Sequence, residues 1–245
     1  MQTTPLSIET PEGRLSGGLC TPEDPRGTVL LLHGIPSINP PDPDDTGYPG
    51  LAESVASHGW TGAWVDLRAV RSSPGHFSIE GWVRDVDAVA AALRDRITGP
   101  LVVVGSSAGG SVATVAVARG LVVEGLVLWA APAVWVSFAG SPQEAVLRIT
   151  EQAGMVLAPE VLEDPTGWAA EFDSVCTADA AQEVSVPMLV VHGDADDVVP
   201  VGHARQIAEA APDARVEILD GAGHQLRRDP RCLKLLFGWL GEHFG

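Results

Sequence analysis

The chain carries one lysine, Lys234, among only 15 basic residues, against 32 acidic ones, for a formal net charge of −17. Such a field repels phosphate backbones and anionic bilayers, which argues against nucleic acid or a membrane surface as partner and leaves small neutral or cationic molecules. Three cysteines, Cys20, Cys176 and Cys232, are widely spaced and odd in number, so neither a disulfide framework nor a zinc pattern is implied. No apolar run reaches the ~20 residues needed to cross a bilayer. The opening residues, MQTTPLSIETPEGR, lack the basic start and apolar core of a secretory signal. A reducing cytoplasm is the expected location. Nothing in these features assigns an oligomeric state.

What is present is enough apolar material for one large core: 245 residues, 45% of them hydrophobic, expected to form a single domain over 1–245. Residues 5–20 read as a hairpin turning at Pro11-Glu12-Gly13. Continuous apolar runs follow at Thr28–His33, Gly62–Leu67, Leu101–Val104, Gly125–Ala130, Pro187–His192 and Val216–Leu219. Runs of this kind are buried on both faces of a parallel sheet. Between them, Gly50–His58 reads as a short helix. Ile79–Ile97 reads as a long amphipathic one bearing Val83, Val86, Val89, Ala90 and Leu93, and Arg231–Phe244 closes the chain as another. The alternation predicts an α/β fold with a mostly parallel, doubly wound sheet flanked by helices and joined by right-handed crossovers.

One stretch breaks the rhythm. Residues 133–186 hold no comparable apolar run, only helix-like pieces around Gln143–Gln152 and Thr166–Phe172, with Trp135, Phe138, Met155, Trp168 and Phe172 scattered through. An insertion after a sheet strand lies over the carboxyl ends of the strands, where α/β proteins bind ligands, so the expectation is a short cap over a site. Each aromatic taken alone reads equally well as packing.

The most informative stretch is Leu101–Gly120, where LVVV enters GSSAGG and leaves into an Ala/Val-rich helix pattern. Gly105-Ser106-Ser107-Ala108-Gly109 fits G-x-S-x-G, a strand–turn–helix bend that pushes the central hydroxyl out of the sheet. Ser107, not Ser106, has glycine two residues to either side. A glycine-rich turn can instead cradle phosphate at a helix N-terminus. Here G-x-x-x-x-G-K-[ST] is absent and G-x-G-x-x-G does not fit, so no nucleotide cofactor is expected.

A serine nucleophile needs a base, usually histidine, oriented by a carboxylate. Of seven histidines, His33 and His192 close apolar strands and read as structural; His58 and His243 sit near helix ends; His76 lies in a loop and His203 opens a helix. His224, in Asp220-Gly221-Ala222-Gly223-His224, follows the last strand in a glycine-rich loop able to bring an imidazole over the sheet edge. Asp194, Asp196 and Asp197 all follow the run that ends at His192 and are alternatives for the acid, with helix capping or a solvated turn as the plain reading of the others. The spacing lacks the glycine and distal glutamate of a calcium loop, so no metal is expected.

In this order, Ser107, an aspartate after a strand, then His224, with His33-Gly34 after an early strand, the chain resembles the α/β-hydrolase family, and within it small bacterial hydrolases of the dienelactone-hydrolase and prolyl-oligopeptidase-like branch. The likeness covers almost the whole chain. HGDADDVVP is similar to the family's G-x-x-D-x-x-V-P acid loop, which selects Asp196. The resemblance implies a Ser107–His224–Asp196 triad, an oxyanion hole from the backbone N–H groups of Ile35 and Ala108, and a small-molecule acyl substrate cleaved without a cofactor. The implied activity is ester hydrolysis, with amide or thioester cleavage as the near alternative and a non-catalytic binding protein as the opposing class. Related dehalogenases and epoxide hydrolases carry aspartate where Ser107 stands. One motif departs: where many relatives carry R-G-x-G-x-S, this chain has Arg68-Ala69-Val70-Arg71-Ser72-Ser73, without either glycine. In the family that turn and the cap shape the pocket.

Overall fold

A computed structural model of the chain describes residues 1–38, 42–135 and 140–245, so Phe138 and part of the Ser37–Gly50 loop lie outside the described residues. The strands are β1 (Gln2–Thr10), β2 (Gly13–Thr21), β3 (Thr28–Leu32), β4 (Thr61–Asp66), β5 (Leu101–Ser106), β6 (Gly125–Trp129), β7 (Met188–Gly193) and β8 (Ala214–Leu219). They form one sheet in the order β1-β2-β4-β3-β5-β6-β7-β8. The β1/β2 and β2/β4 pairs are antiparallel and every later pair is parallel. The hairpin is as expected, with Thr10 opposite Gly13, so only Pro11 and Glu12 form the turn.

Both faces of the sheet are covered, and the side chains of the central strands sort by parity. Leu30 and Leu32 of β3, Leu101 and Val103 of β5, Leu126 and Leu128 of β6 and Met188 and Val190 of β7 enter one core cluster. Their neighbours Val29, Leu31, Val102, Val104, Val127, Trp129, Leu189 and Val191 enter the other. α1 (Gly47–Ser57) packs on the second face; α2 (Ile79–Arg94) and α3 (Ala108–Ala118) pack on the first. α1 starts three residues earlier than its apolar pattern suggests, because Pro49 sits in the first turn, where its missing N–H costs nothing. Ser78 caps α2 by accepting from the Gly81 N–H at 2.9 Å, and the helix stops at Arg94, short of Gly99-Pro100.

Residues 133–186 form α4 (Pro142–Leu147), a π-turn (Arg148–Gln152), α5 (Pro159–Glu163), α6 (Thr166–Ser174) and α7 (Thr177–Ala181). Main-chain bonds tie this segment to the loops that leave the carboxyl ends of β3 and β4: Ile38 N–H donates to the Gln152 carbonyl (3.2 Å) and Phe77 N–H to the Val156 carbonyl (2.8 Å). Trp168 donates its indole N–H to the Phe77 carbonyl (3.1 Å) and, with Phe172, packs against the Phe77 ring. Trp168, Phe172 and Met155 are therefore core residues that seat the segment, and Trp135 is half-buried with its ring edge-on to Phe172 at 5.3 Å.

The chain ends in α8 (Gly202–Ala210) and α9 (Pro230–Phe244). The run Val216–Leu219 is not the buried strand its composition suggests. It belongs to β8, which has a partner on one side only, and Val216 stays 38% exposed while Leu219 alone is buried. Among the described residues no helix is long and apolar enough to cross a membrane.

Candidate active site

Ser107 sits between β5 and α3 with φ 52° and ψ −124°, a conformation L-residues rarely adopt. The bend is held by the Ser107 N–H, which donates to the Trp129 carbonyl of β6 at 2.8 Å. Its flanking glycines are there for space: a Cβ on Gly105 would lie 2.5 Å from Gly110 backbone atoms, and one on Gly109 would lie 2.4 Å from the His33 carbonyl oxygen. Any side chain at either position would push the strand and helix apart and carry Ser107 with them.

The structure brings three of the sequence-selected residues together. Ser107 Oγ is 3.1 Å from His224 Nε2, and His224 Nδ1 is 2.8 Å from Asp196 Oδ2. The His224 ring is 20% exposed, while the Asp196 carboxylate is fully enclosed. Both arrive on loops leaving the carboxyl ends of adjacent strands, β7 and β8. Burial pushes the Asp196 carboxyl up, but hydrogen bonds from His192, His224 and the Val199 N–H outweigh it and hold the group well below the usual carboxylate range. Asp194 accepts from the Gly221 N–H (2.7 Å) and braces the histidine loop instead, and Asp197 is exposed.

Ile35 follows Gly34 and Ala108 takes the first position of α3, and neither N–H has an acceptor among the described residues. Gly34 touches the serine directly: a Cβ there would lie 2.8 Å from Ser107 Cβ. His33 is buried, with Nδ1 at 2.8 Å from the Gly34 carbonyl and Nε2 accepting from the Leu67 N–H at 2.9 Å. Burial holds it down at about 4, so it is a neutral tether between the loops after β3 and β4.

Three features escape the sequence reading. His192 is not merely a strand terminus, because its Nε2 lies 3.3 Å from Asp196 Oδ2. His203 accepts the Ala133 N–H on Nδ1 (2.9 Å), pinning the start of the 133–186 segment. Arg227 and Arg228, just past His224, pair with Asp45 and Asp42 on the loop before α1, and Arg227 lies 5.6 Å above the Tyr48 ring. These contacts span more than 180 residues of chain, and no local pattern encodes them. A surface groove of about 320 Å³ lies between residues 76–78 and α5–α6, lined by Phe77, Trp168 and Glu171 among others, and includes none of Ser107, Asp196 and His224.

The sequence model of the α/β hydrolase family matches residues 29–230. No curated protein sequence matches the chain. Among solved structures, the esterase domain of a Rhodothermus marinus protein is similar at 19% identity and TM-score 0.70, with all of both chains covered. An esterase of Pyrococcus furiosus is similar at 19% identity and TM-score 0.73, covering 100% of this chain and 93% of that one. Est1E of Butyrivibrio proteoclasticus, solved with ferulic acid bound, is similar at 18% identity and TM-score 0.71, covering 97% and 96%. Identities this low speak for the fold alone. With the eight-stranded sheet, the strained serine bend and a family match over residues 29–230, the chain belongs to the α/β-hydrolase family.

Proposed function

We propose that the protein is a serine hydrolase that cleaves carboxylic esters through an acyl-enzyme on Ser107. The observation that carries this reading is the unbroken hydrogen-bonded line from Ser107 Oγ to His224 (3.1 Å) and from His224 to Asp196 (2.8 Å). In the first step Oγ bonds to the acyl carbon while His224 Nε2 takes the hydroxyl proton. The oxyanion that forms is met by the N–H groups of Ile35 and Ala108. Such a donor typically contributes about 3 kcal/mol. Collapse breaks the bond to the alcohol oxygen, which leaves with the proton held by His224. Water then adds to the acyl carbon with His224 as base, and the second collapse returns the proton to Ser107 and frees the acid. Asp196 fixes the His224 tautomer and stabilises its cation throughout.

Amides and thioesters fit the same steps. Esters are placed first because two proteins of similar fold are named as esterases. The substrate is a small acyl compound. The 133–186 segment serves as a short cap, anchored through Gln152 to the loop that carries Ile35 and through Val156 to the loop that carries Phe77. A fluorophosphonate probe should label Ser107, and Ser107→Ala should lower p-nitrophenyl acetate turnover by roughly 10⁴ to 10⁶. A variant as fast as the parent would sink the assignment. A folded parent that neither labels nor turns over would favour a binding protein on this scaffold.

A further inference from the structure

Asp196 sits in a cage of four N–H groups. Oδ1 accepts from the backbones of Val198 (2.9 Å) and Val199 (2.8 Å). Oδ2 faces His224 Nδ1 at 2.8 Å and His192 Nε2 at 3.3 Å. His192 lies at the end of β7, four residues before the aspartate, with its ring fully buried. Which ring nitrogen carries the shared hydrogen follows from its neighbours. Nε2 is 2.8 Å from the Val199 carbonyl as well as close to the carboxylate, and both are acceptors, so this nitrogen carries the hydrogen. Nδ1 is buried without a partner among the described residues, so a proton there would be an orphaned donor. Its Nε2–H is shared between the Val199 carbonyl and the Asp196 carboxylate.

We propose that His192 is a positioning residue for the reaction, holding Asp196 Oδ2 in line with His224 through its Nε2–H; the proposal rests on the Ser107–His224–Asp196 reading above. Without it the carboxylate keeps two donors on Oδ1 and only His224 on Oδ2, and the group can pivot about its Cβ–Cγ bond. Outer donors of this kind set the orientation and the basicity of the group they hold. Each donor also stabilises the anion, so a carboxylate short of one grips the proton on His224 more tightly. Of the other titratable groups nearby, His203 of α8 interacts electrostatically with the pair, while Asp194 is turned away to the Gly221 N–H.

The test compares His192→Phe, which keeps ring volume and removes the donor, with His192→Gln, whose amide nitrogen can stand where Nε2 stands. In p-nitrophenyl acetate hydrolysis, His192→Phe should lower kcat about tenfold with KM within about twofold, in line with the effect of removing an outer-shell donor. The acid limb of its kcat–pH profile should move up by roughly 0.5 to 1 pH unit. His192→Gln should recover most of both. In the parent, ¹⁵N spectra of labelled histidine should show a hydrogen on His192 Nε2 at pH 7. A folded His192→Phe with parental kcat and an unmoved acid limb overturns the proposal, as does a Gln variant as impaired as Phe. So does a parent spectrum showing no hydrogen on His192 Nε2. If the Phe variant does not fold, the Gln variant and the spectra decide. Ser107→Ala and Asp196→Asn run alongside: if they keep parental turnover, the triad reading itself falls, whereas if they lose turnover and His192→Phe does not, only the role of His192 falls.

Discussion

Gly34 and Ser107 are in contact: a methyl group on Gly34 would stand 2.8 Å from Ser107 Cβ and 3.3 Å from its Oγ. The residue after an apolar strand thereby sets where the hydroxyl can be. It also ties the Ile35 N–H to the same few ångströms, since the two residues share a peptide bond. Gly34→Ala should lower kcat by about 10²-fold, because misplacing a reacting group by about 1 Å carries a penalty of that order. Ester hydrolysis and fluorophosphonate labelling rates measure it, with circular dichroism to show that the variant folds. Parental rates would mean that the loop relaxes away and that Gly34 does not set the site.

Asp196→Asn separates charge from packing. The amide is nearly isosteric and still meets the Val198 and Val199 N–H groups through its oxygen, but it can turn an N–H toward His224 and force the wrong tautomer. The expected loss in kcat is about 10⁴ with the fold intact. Asp194→Asn, at the carboxylate that braces Gly221, should lose far less, since it only steadies the loop. Equal losses at the two positions would contradict the assignment of the acid.

His33 predicts a stability change with pH. Burial lowers it from its ordinary 6.5 to about 4, so the folded protein keeps this ring neutral while the unfolded chain protonates it. Above about pH 6.5 both states hold the neutral form and His33 contributes nothing. As the pH falls from 6.5 toward 4 the unfolded state gains the proton, and stability drops by about 3 kcal/mol across that window before levelling. The Asp196 carboxylate, held below its usual range, loses its contribution only at still lower pH. Urea midpoints between pH 7 and 4 should show the slope. A His33→Gln variant, less stable overall, should have that part flattened, and an unchanged slope would remove His33 as its source.

The strands that form the sheet centre are legible because each is an apolar run with both faces buried, and Gly105 and Gly109 are legible because a sharp bend leaves no room for Cβ. Selecting Asp196 over Asp194 depends on the family's spacing and not on anything local. The structure brings Asp196, and not Asp194, to His224. What stays hidden is set by three-dimensional neighbours. The exposure of β8 follows from its place at the end of the strand order, and the role of His192 from a turn that folds Asp196 back onto it. The Arg227–Asp45 pair joins residues 182 positions apart, and neither charge differs in sequence from a solvated one.

The turn that lacks the family's glycines offers the last prediction. Ala69 and Arg71 stand where relatives resembling R-G-x-G-x-S carry glycine, yet both keep positive φ, 61° and 45°. The backbone here takes a shape that glycine adopts freely, but without glycine. A left-handed conformation costs a non-glycine residue about 1–2 kcal/mol, and glycine gives back about 0.5–1 of that through its freer unfolded chain. Ala69→Gly should therefore stabilise the protein by about 0.5 kcal/mol or more, a rise of about 1–3 °C in Tm for a chain of this length. Arg71→Gly should gain less, because it also removes the surface pair with Asp66, itself worth about 0–1 kcal/mol. Calorimetry on the two variants checks the order as well as the sign. If Ala69→Gly lowers Tm, the strain has already been relieved by the packing around Arg68, whose guanidinium is buried against Asp85 at 2.6 Å.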